Sequence, residues 1–238
     1  MRHVCIGFGD VGRALYEILQ EGKQEVVAVD KDANLEGKFE VMHVCFPYSG
    51  KFVDYVVDYI ARYQPELVII HSTVPPGTTE SIPFVKTVHS PVRGRHPSMT
   101  RDIKTYVKYF GGKDAEEAAK IFEDLGIKTK SFSDSKTTEL GKLLCNIRWG
   151  LNIAFAQEQG RMCKHYGIKY EDVVNEFELS RNDGLSKIDR ENVRMPILYP
   201  GVIGGHCVMP NVNILMQEYP SIFLKVILES NEKYGQKL

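Results

Sequence analysis

Gly7-Phe8-Gly9-Asp10-Val11-Gly12 ends one apolar run and opens a helical pattern, and Asp30 closes the next apolar run eighteen residues beyond Gly12. Each part of such a loop has a physical job. Gly7 permits a tight turn, Gly9 lets the backbone approach a pyrophosphate, and Gly12 lets helix and strand pack closely. A helix that starts here offers unpaired N–H groups and the positive end of its dipole to phosphates. Asp30 can accept hydrogen bonds from adenosine ribose hydroxyls and would repel a 2′-phosphate, which favours NAD over NADP, although the adjacent Lys31 works against that choice. Without a ligand the same residues make a glycine turn. With strand, glycines, helix and Asp30 all in register, the dinucleotide reading is preferred.

Two further segments carry polar chemistry. In Glu139-Leu140-Gly141-Lys142-Leu143-Leu144-Cys145-Asn146, Lys142 and Asn146 are four residues apart and share a helical face. A cation and an amide on an otherwise apolar helix suit an oxyanion or a hydroxyl; a solvated lysine and an incidental asparagine is the alternative. In Pro200-Gly201-Val202-Ile203-Gly204-Gly205-His206-Cys207-Val208-Met209-Pro210-Asn211, three glycines permit backbone shapes that present a small thiol at the end of a loop. His206 or a nearby lysine can make Cys207 a nucleophile. A glycine turn ahead of a buried cysteine is the other reading.

These residues need elements to position them. The 238 residues, 43% hydrophobic, allow one large domain or two small ones with a real core. A formal net charge of -1 with no basic run gives no sign of a nucleic-acid partner. No secretory pattern opens the chain and no 18-residue apolar stretch occurs, so a cytoplasmic protein without membrane spans is expected. The five cysteines, at 5, 45, 145, 163 and 207, form no CxxC and no zinc spacing; no metal is expected and reduced thiols are. Cys5, Cys45, Cys145 and Cys163 read as packing residues, and only Cys207 has an unusual setting.

Strand and helix patterns alternate in the first half. Apolar runs at 3–8, 25–30, 41–46, 66–71, 106–111 and 128–132 read as strands, and 11–20, 51–63 and 115–125 as helices. The alternation predicts an α/β fold, a Rossmann doubly wound parallel sheet over residues 1–133. From 135 to about 166 no proline occurs, and Leu140, Leu143, Leu144, Ile147, Leu151, Ala154 and Phe155 recur at helical spacing. Such a helix spans roughly 50 Å, enough to bridge domains or build a dimer interface. Residues 134–238 read as an all-α domain with one long central helix, carrying the Cys207 loop.

Gly7–Gly12, Ser72-Thr73-Val74-Pro75-Pro76-Gly77-Thr78-Thr79, Ser90-Pro91, Lys142-x-x-x-Asn146 and Gly204-Gly205-His206-Cys207 stand in this order. The series resembles the UDP-glucose/GDP-mannose dehydrogenase family, in particular its UDP-N-acetyl-mannosamine and UDP-N-acetyl-glucosamine branch, from residue 1 to about 231. The resemblance implies two successive hydride transfers to NAD, taking a sugar C6 alcohol to a carboxylate. It makes Cys207 the thiol that captures the aldehyde as a thiohemiacetal, Lys142 and Asn146 the stabilisers of the oxyanion, and Thr73 a residue that places a water. It assigns Pro47, Ser72 and Thr73 to the cofactor side, and Arg93, Gly204, Gly205, His206 and Asn211 to the substrate side. It also implies a homodimer through the central helix.

Three departures limit the transfer. Val92 stands where the family has Glu, and Asn211 where it has Asp, so two expected bases or water activators are missing. Family members also carry a C-terminal domain that binds the nucleotide of the sugar, and the chain reads as a shortened form without it. The expectation is therefore an NAD-dependent oxidoreductase acting on a primary alcohol of a sugar-like substrate such as a nucleotide sugar, with an impaired or altered second step. One alternative is a 3-hydroxyacid-dehydrogenase-like enzyme that uses Lys142 without the thiol. Another is a non-catalytic NAD-binding module or half of a split enzyme.

Overall fold

β-branched and apolar residues fill β1 (Arg2–Ile6), β2 (Glu25–Val29), β3 (Val41–Val44) and β4 (Leu67–Ile70). β3 and β4 are buried on both faces and the edge strand β2 is mostly half-buried, which suits a parallel sheet covered by helices. The computed structural model describes residues 1–30, 37–95, 97–205 and 207–235. They divide into two compact units, Met1–Lys142 and Leu143–Leu238.

In the first unit, helices α1 (Asp10–Glu21), α2 (Phe52–Tyr63), α3 (Met99–Thr105) and α4 (Ala115–Glu123) alternate with seven strands; the last three are β5 (Lys86–His89), β6 (Lys108–Gly111) and β7 (Thr129–Phe132). The strand order is β2-β1-β3-β4-β5-β6-β7. Its direction reverses between β1 and β3, which opens a crevice at the carboxyl ends of those strands. The expected doubly wound sheet is present, with one difference: β5 and β6 run antiparallel, joined at His89 and Gly111. β5 and α3 fall where no element was expected. β5 is only four residues, Lys-Thr-Val-His, between Pro83 and Pro91, and carries no apolar run to announce it.

Alternation along the strands supplies two cores. Leu67, Ile69, Val88 and Phe110 pack with Leu15, Ile18 and Phe122. Val4, Ile6, Met42, Val44, Val68 and Ile70 pack with Phe52, Val56 and Tyr63. Each fully buried side chain of this size contributes roughly 1.5–3 kcal/mol.

Helix α5 (Ser135–Tyr166) has 32 residues and continues into the second unit. There it is followed by a π-helical turn (Glu171–Asn175), α6 (Glu176–Ser186), a short 3-10 turn (Glu191–Val193), α7 (Val208–Glu218) and α8 (Ile222–Gly235). Leu143, Ile147 and Ala154 of α5 join Ile203, Val212, Leu215, Leu224 and Ile227 in one core. A Cβ at Gly150 would lie 2.7 Å from Val208 and 3.4 Å from Ile227, so α7 and α8 both approach α5 there. The apolar residues of α5 do not form a single buried stripe. Leu140, Leu144, Trp149, Phe155 and Met162 are exposed. Cys145 is exposed as well, which corrects its reading as a packing residue: it lies off the Leu143–Ile147 face, while Cys163 is buried as expected. Among the described residues no helix is long and apolar enough to cross a membrane.

Candidate active site

Gly7 closes β1 with φ +90°, and its N–H donates to Val29 O at 2.8 Å. That bond ties the glycine turn to the end of β2 and sets the exposed Asp30, the next residue, beside it. Lys31 lies outside the described residues, as does His206. The three glycines differ in what the fold asks of them. A Cβ at Gly7 would come within 3.0 Å of Phe46 N, and one at Gly12 would run into the Gly7 carbonyl oxygen. A Cβ at Gly9 would meet nothing within 4 Å. Gly9 is the N-cap of α1, and no side chain caps that terminus. Phe8 is steadied by Arg13, whose guanidinium lies over its ring at 5.5 Å and whose Nε donates to Phe8 O. Open space above Gly9 among the described residues, an α1 N-terminus without a side-chain cap and the nearby Asp30 fit the pyrophosphate and ribose of a dinucleotide.

The loops after β3 and β4 reach the same crevice. Pro47 is exposed three residues past β3. Ser72 is buried, and its hydroxyl donates to Phe46 O at 2.6 Å, so the two strand exits are tied together. Thr73 follows it, half-buried.

Glu139 carries a role that motif reading missed. This fully buried carboxylate accepts from Gly77 N–H, Thr79 N–H and the Thr79 hydroxyl, at 2.6, 2.9 and 2.6 Å. It pins the 72–79 loop to the second turn of α5. Burial pushes its carboxyl up; the Thr79 hydroxyl and the two N–H donors partly offset this. The available signal was a carboxylate in the first turns of a leucine-rich helix. One turn later, Lys142 Nζ donates to Val92 O at 2.8 Å. The Val92 side chain itself is buried in the core. Arg93 donates to Val107 O and lies 4.7 Å over the Tyr109 ring, so its guanidinium is held by its own unit.

In the second unit, Asn146 of α5 is half-buried. Cys207 is exposed at the N-cap of α7. Gly204 and Gly205 before it are exposed with open space around them, and Gly205 takes φ +78°. Asn211, one turn into α7, is buried, and its Nδ2 has no hydrogen-bond partner among the described residues. The strand of chain leading to Cys207 is clamped by residues no motif announced. Gln157 of α5 donates to Gly201 O at 2.7 Å, and Tyr234 of α8 to Pro200 O at 2.8 Å. Asn231 of α8 accepts from Ile203 N–H at 2.7 Å and donates to Ile203 O at 3.2 Å. A separate cleft of about 80 Å³ beside Tyr170 and Leu198 is lined by none of the expected site residues.

Comparison with known proteins fits this geometry. Residues 136–233 match the central domain of the UDP-glucose/GDP-mannose dehydrogenase family. The UDP-N-acetyl-D-mannosamine dehydrogenase of Methanococcus vannielii is 28% identical over 196 residues, covering 76% of this chain and 43% of that one. The chain thus spans less than half the length of that relative. The solved UDP-D-ManNAc dehydrogenase of Pyrococcus horikoshii superposes with a TM-score of 0.78 at 21% identity, over 98% of this chain and 69% of the other. The 3-hydroxyisobutyrate dehydrogenase of Mycobacterium tuberculosis superposes at 0.69 with 13% identity, over 99% and 94%. The likenesses to the two solved structures show the fold. The sequence matches add that residues 136–233 are similar to the central domain of the UDP-glucose/GDP-mannose dehydrogenase family, and that the chain is similar to a UDP-N-acetyl-D-mannosamine dehydrogenase.

Proposed function

We propose that the chain binds NAD through Gly7–Gly12, Asp30, Pro47, Ser72 and Thr73 and acts as an NAD-dependent oxidoreductase on a primary alcohol of a sugar-like substrate. One observation carries the cofactor assignment. The fold requires glycine at positions 7 and 12 but not at 9, where a side chain would have room. Close approach of a ligand supplies the missing reason. Gly9→Val is therefore expected to cost no more than about 1 kcal/mol of stability and to weaken NAD binding at least about 100-fold, about 2.7 kcal/mol. Calorimetric titration with NAD beside a urea melt checks both. Unchanged affinity in Gly9→Val rejects this crevice as the site.

Bound NAD supplies the hydride acceptor. The chain's own groups handle the substrate. The Cys207 thiol adds to the aldehyde carbonyl to give a thiohemiacetal, which keeps the aldehyde from escaping and splits the oxidation into two steps. Lys142 and Asn146 donate hydrogen bonds to the developing oxyanion. Gly204, Gly205, His206 and Arg93 belong to the substrate side. Asn211 cannot take up a proton, and Val92 offers no carboxylate. The second step therefore slows: the enzyme stalls at the thioester or releases aldehyde after one hydride transfer. Cys207→Ser is expected to remove acid formation while NAD binding stays within twofold. NADH release across a panel of UDP-sugars and hydroxy acids, with mass spectrometry of the protein for an acyl adduct, provides the check. Full activity in Cys207→Ser would sink the thiol mechanism.

A second reading has its own support. Lys142 is already oriented by Val92 O, and the fold of these residues superposes on 94% of a 3-hydroxyisobutyrate dehydrogenase chain. An enzyme of that type uses Lys142 as acid and base without the thiol, and Cys207→Ser then keeps full turnover of a hydroxy acid. NAD binding with no turnover on any substrate in the panel points instead to a non-catalytic module or half of a split enzyme. The exposed apolar residues Leu144, Trp149, Phe155 and Met162 of α5 support a homodimer; sedimentation as a monomer at micromolar concentration counts against it.

A further inference from the structure

Three histidines stand side by side in the sheet of the first unit, each essentially without solvent: His3 on β1, His43 on β3 and His71 just after β4. Their rings stack with centroids 5.3 Å apart at both steps. His3 Nδ1 lies 3.0 Å from His43 Nε2, and His43 Nδ1 lies 3.0 Å from His71 Nε2. His71 Nδ1 lies 2.8 Å from Ser90 O. A carbonyl only accepts, so His71 carries its proton on Nδ1. Its Nε2 then accepts from His43 Nδ1–H, and His43 Nε2 accepts from His3 Nδ1–H. While Lys108 is a neutral amine, this one carbonyl sets the tautomer of all three neutral rings.

Each end of this chain has a distinctive group. Beyond His71, the buried Lys108 places Nζ 3.3 Å from His71 Nδ1 and 3.3 Å from Ser90 O, with the Phe110 and Phe122 rings packed against it. At the other end, His3 Nε2 is buried, makes no hydrogen bond of good geometry among the described residues, and faces the Gln24 side chain. The other titratable groups that face the histidine chain are the N-terminal amine and Glu40 at His3, the Cys45 thiol at Lys108 with Cys5 beside Cys45, and His89 at His71, with Lys142 acting on His89. Burial pushes both thiols up, so they stay neutral.

We propose that His3, His43, His71 and Lys108 form a proton relay through the interior of the sheet. A proton enters at His3 Nε2. His3 Nδ1–H passes to His43 Nε2, His43 Nδ1–H passes to His71 Nε2, and His71 Nδ1–H passes to Lys108 Nζ. Every ring loses one N–H bond and gains one. No ring keeps a charge, which burial would penalise heavily. The three rings end as Nε2–H tautomers; His71 gives up its hydrogen bond to Ser90 O, and Lys108 ends as an ammonium that bridges the two acceptors left facing each other, donating to both Ser90 O and His71 Nδ1. Its bond to Ser90 O becomes charge-assisted and about twice as strong. Ser90 lies two residues before Val92, whose carbonyl holds Lys142. The relay thus adjusts the grip on the backbone that anchors Lys142. It stands independently of the cofactor assignment.

The test is a tautomer titration. Protein labelled with 15N in histidine and lysine is followed from pH 6 to 9 by long-range 1H–15N correlation. All three rings are expected as Nδ1–H at high pH and as Nε2–H at low pH, changing together at the pH where Lys108 Nζ titrates. Lys108→Met is expected to hold all three as Nδ1–H throughout. Tautomers that stay fixed, or that change at separate pH values, overturn the relay and leave a static ladder. The wild-type titration decides the matter even if the variant does not fold.

Discussion

Lowering the pH from about 7 to about 5 is expected to unfold the first unit. Four of its histidines, His3, His43, His71 and His89, are fully or almost fully buried. Burial lowers all four: His3 to about 4, His89 to about 3, and His43 and His71 well below the usual imidazole value. The unfolded chain binds protons near 6.5 while the folded chain does not, so stability is lost as pH falls below that value. Each histidine costs about 2 kcal/mol between pH 7 and 5, and four together approach the whole stability of a typical domain. Two other groups shape the profile. Burial lowers Lys108 to about 7, so stability rises further as pH climbs from there toward the ordinary lysine value. Glu139, whose carboxyl is raised, acts the opposite way: its contribution improves as pH falls through the carboxylate range, too late to rescue the unit. Urea midpoints at pH 7.5, 6 and 5 measure the sum. A midpoint that stays flat between pH 7 and 5 contradicts the burial of these rings.

Replacing Glu139 by Ala is expected to destabilise the first unit by about 3–5 kcal/mol. Three donors, Gly77 N–H, Thr79 N–H and the Thr79 hydroxyl, converge on this carboxylate and would be left unpaired in the interior. Buried donors without acceptors cost more than the lost bonds themselves contribute. Glu139→Gln keeps one acceptor oxygen but turns an N–H₂ toward an N–H, so an intermediate loss is expected. If the variants fold at low temperature, the 72–79 loop should show fast amide exchange at Gly77 and Thr79 and NAD affinity should fall, because Ser72 and Thr73 sit at the head of that loop. A loss under 1 kcal/mol for Glu139→Ala would show that water can replace the carboxylate and that the loop is not anchored through it.

The sheet and the glycine loop were legible because their signals are local. An apolar run, glycines at fixed offsets and a carboxylate at the next strand end need no knowledge of distant contacts. β5 and α3 were not legible: four residues of Lys-Thr-Val-His show no periodicity, and Met99–Thr105 is two turns rich in polar residues. The same distinction divides the site. Cys207 stands out by its glycines, whereas Gln157 and Asn231, which hold the segment before it, are single polar residues whose importance appears only once α5 and α8 pack together. The histidines at 3, 43, 71 and 89 have no regular spacing; they meet because parallel strands separated by long crossovers lie next to one another. Cys145 shows the reverse error, an apolar-looking helical residue that periodicity could not assign to the correct face.

The clamp on Pro200, Gly201 and Ile203 has a consequence for reactivity. Backbone held at Ile203 on one side and by α7 from Val208 on the other fixes both flanks of the short tether that carries the thiol. Flanks fixed in this way meet their loss of freedom in folding rather than at the moment of reaction. Under the proposed thiol mechanism, the sulfur would therefore meet its electrophile at a high effective molarity. Lengthening the tether with a few glycines would dilute the thiol without altering a single atom of its chemistry.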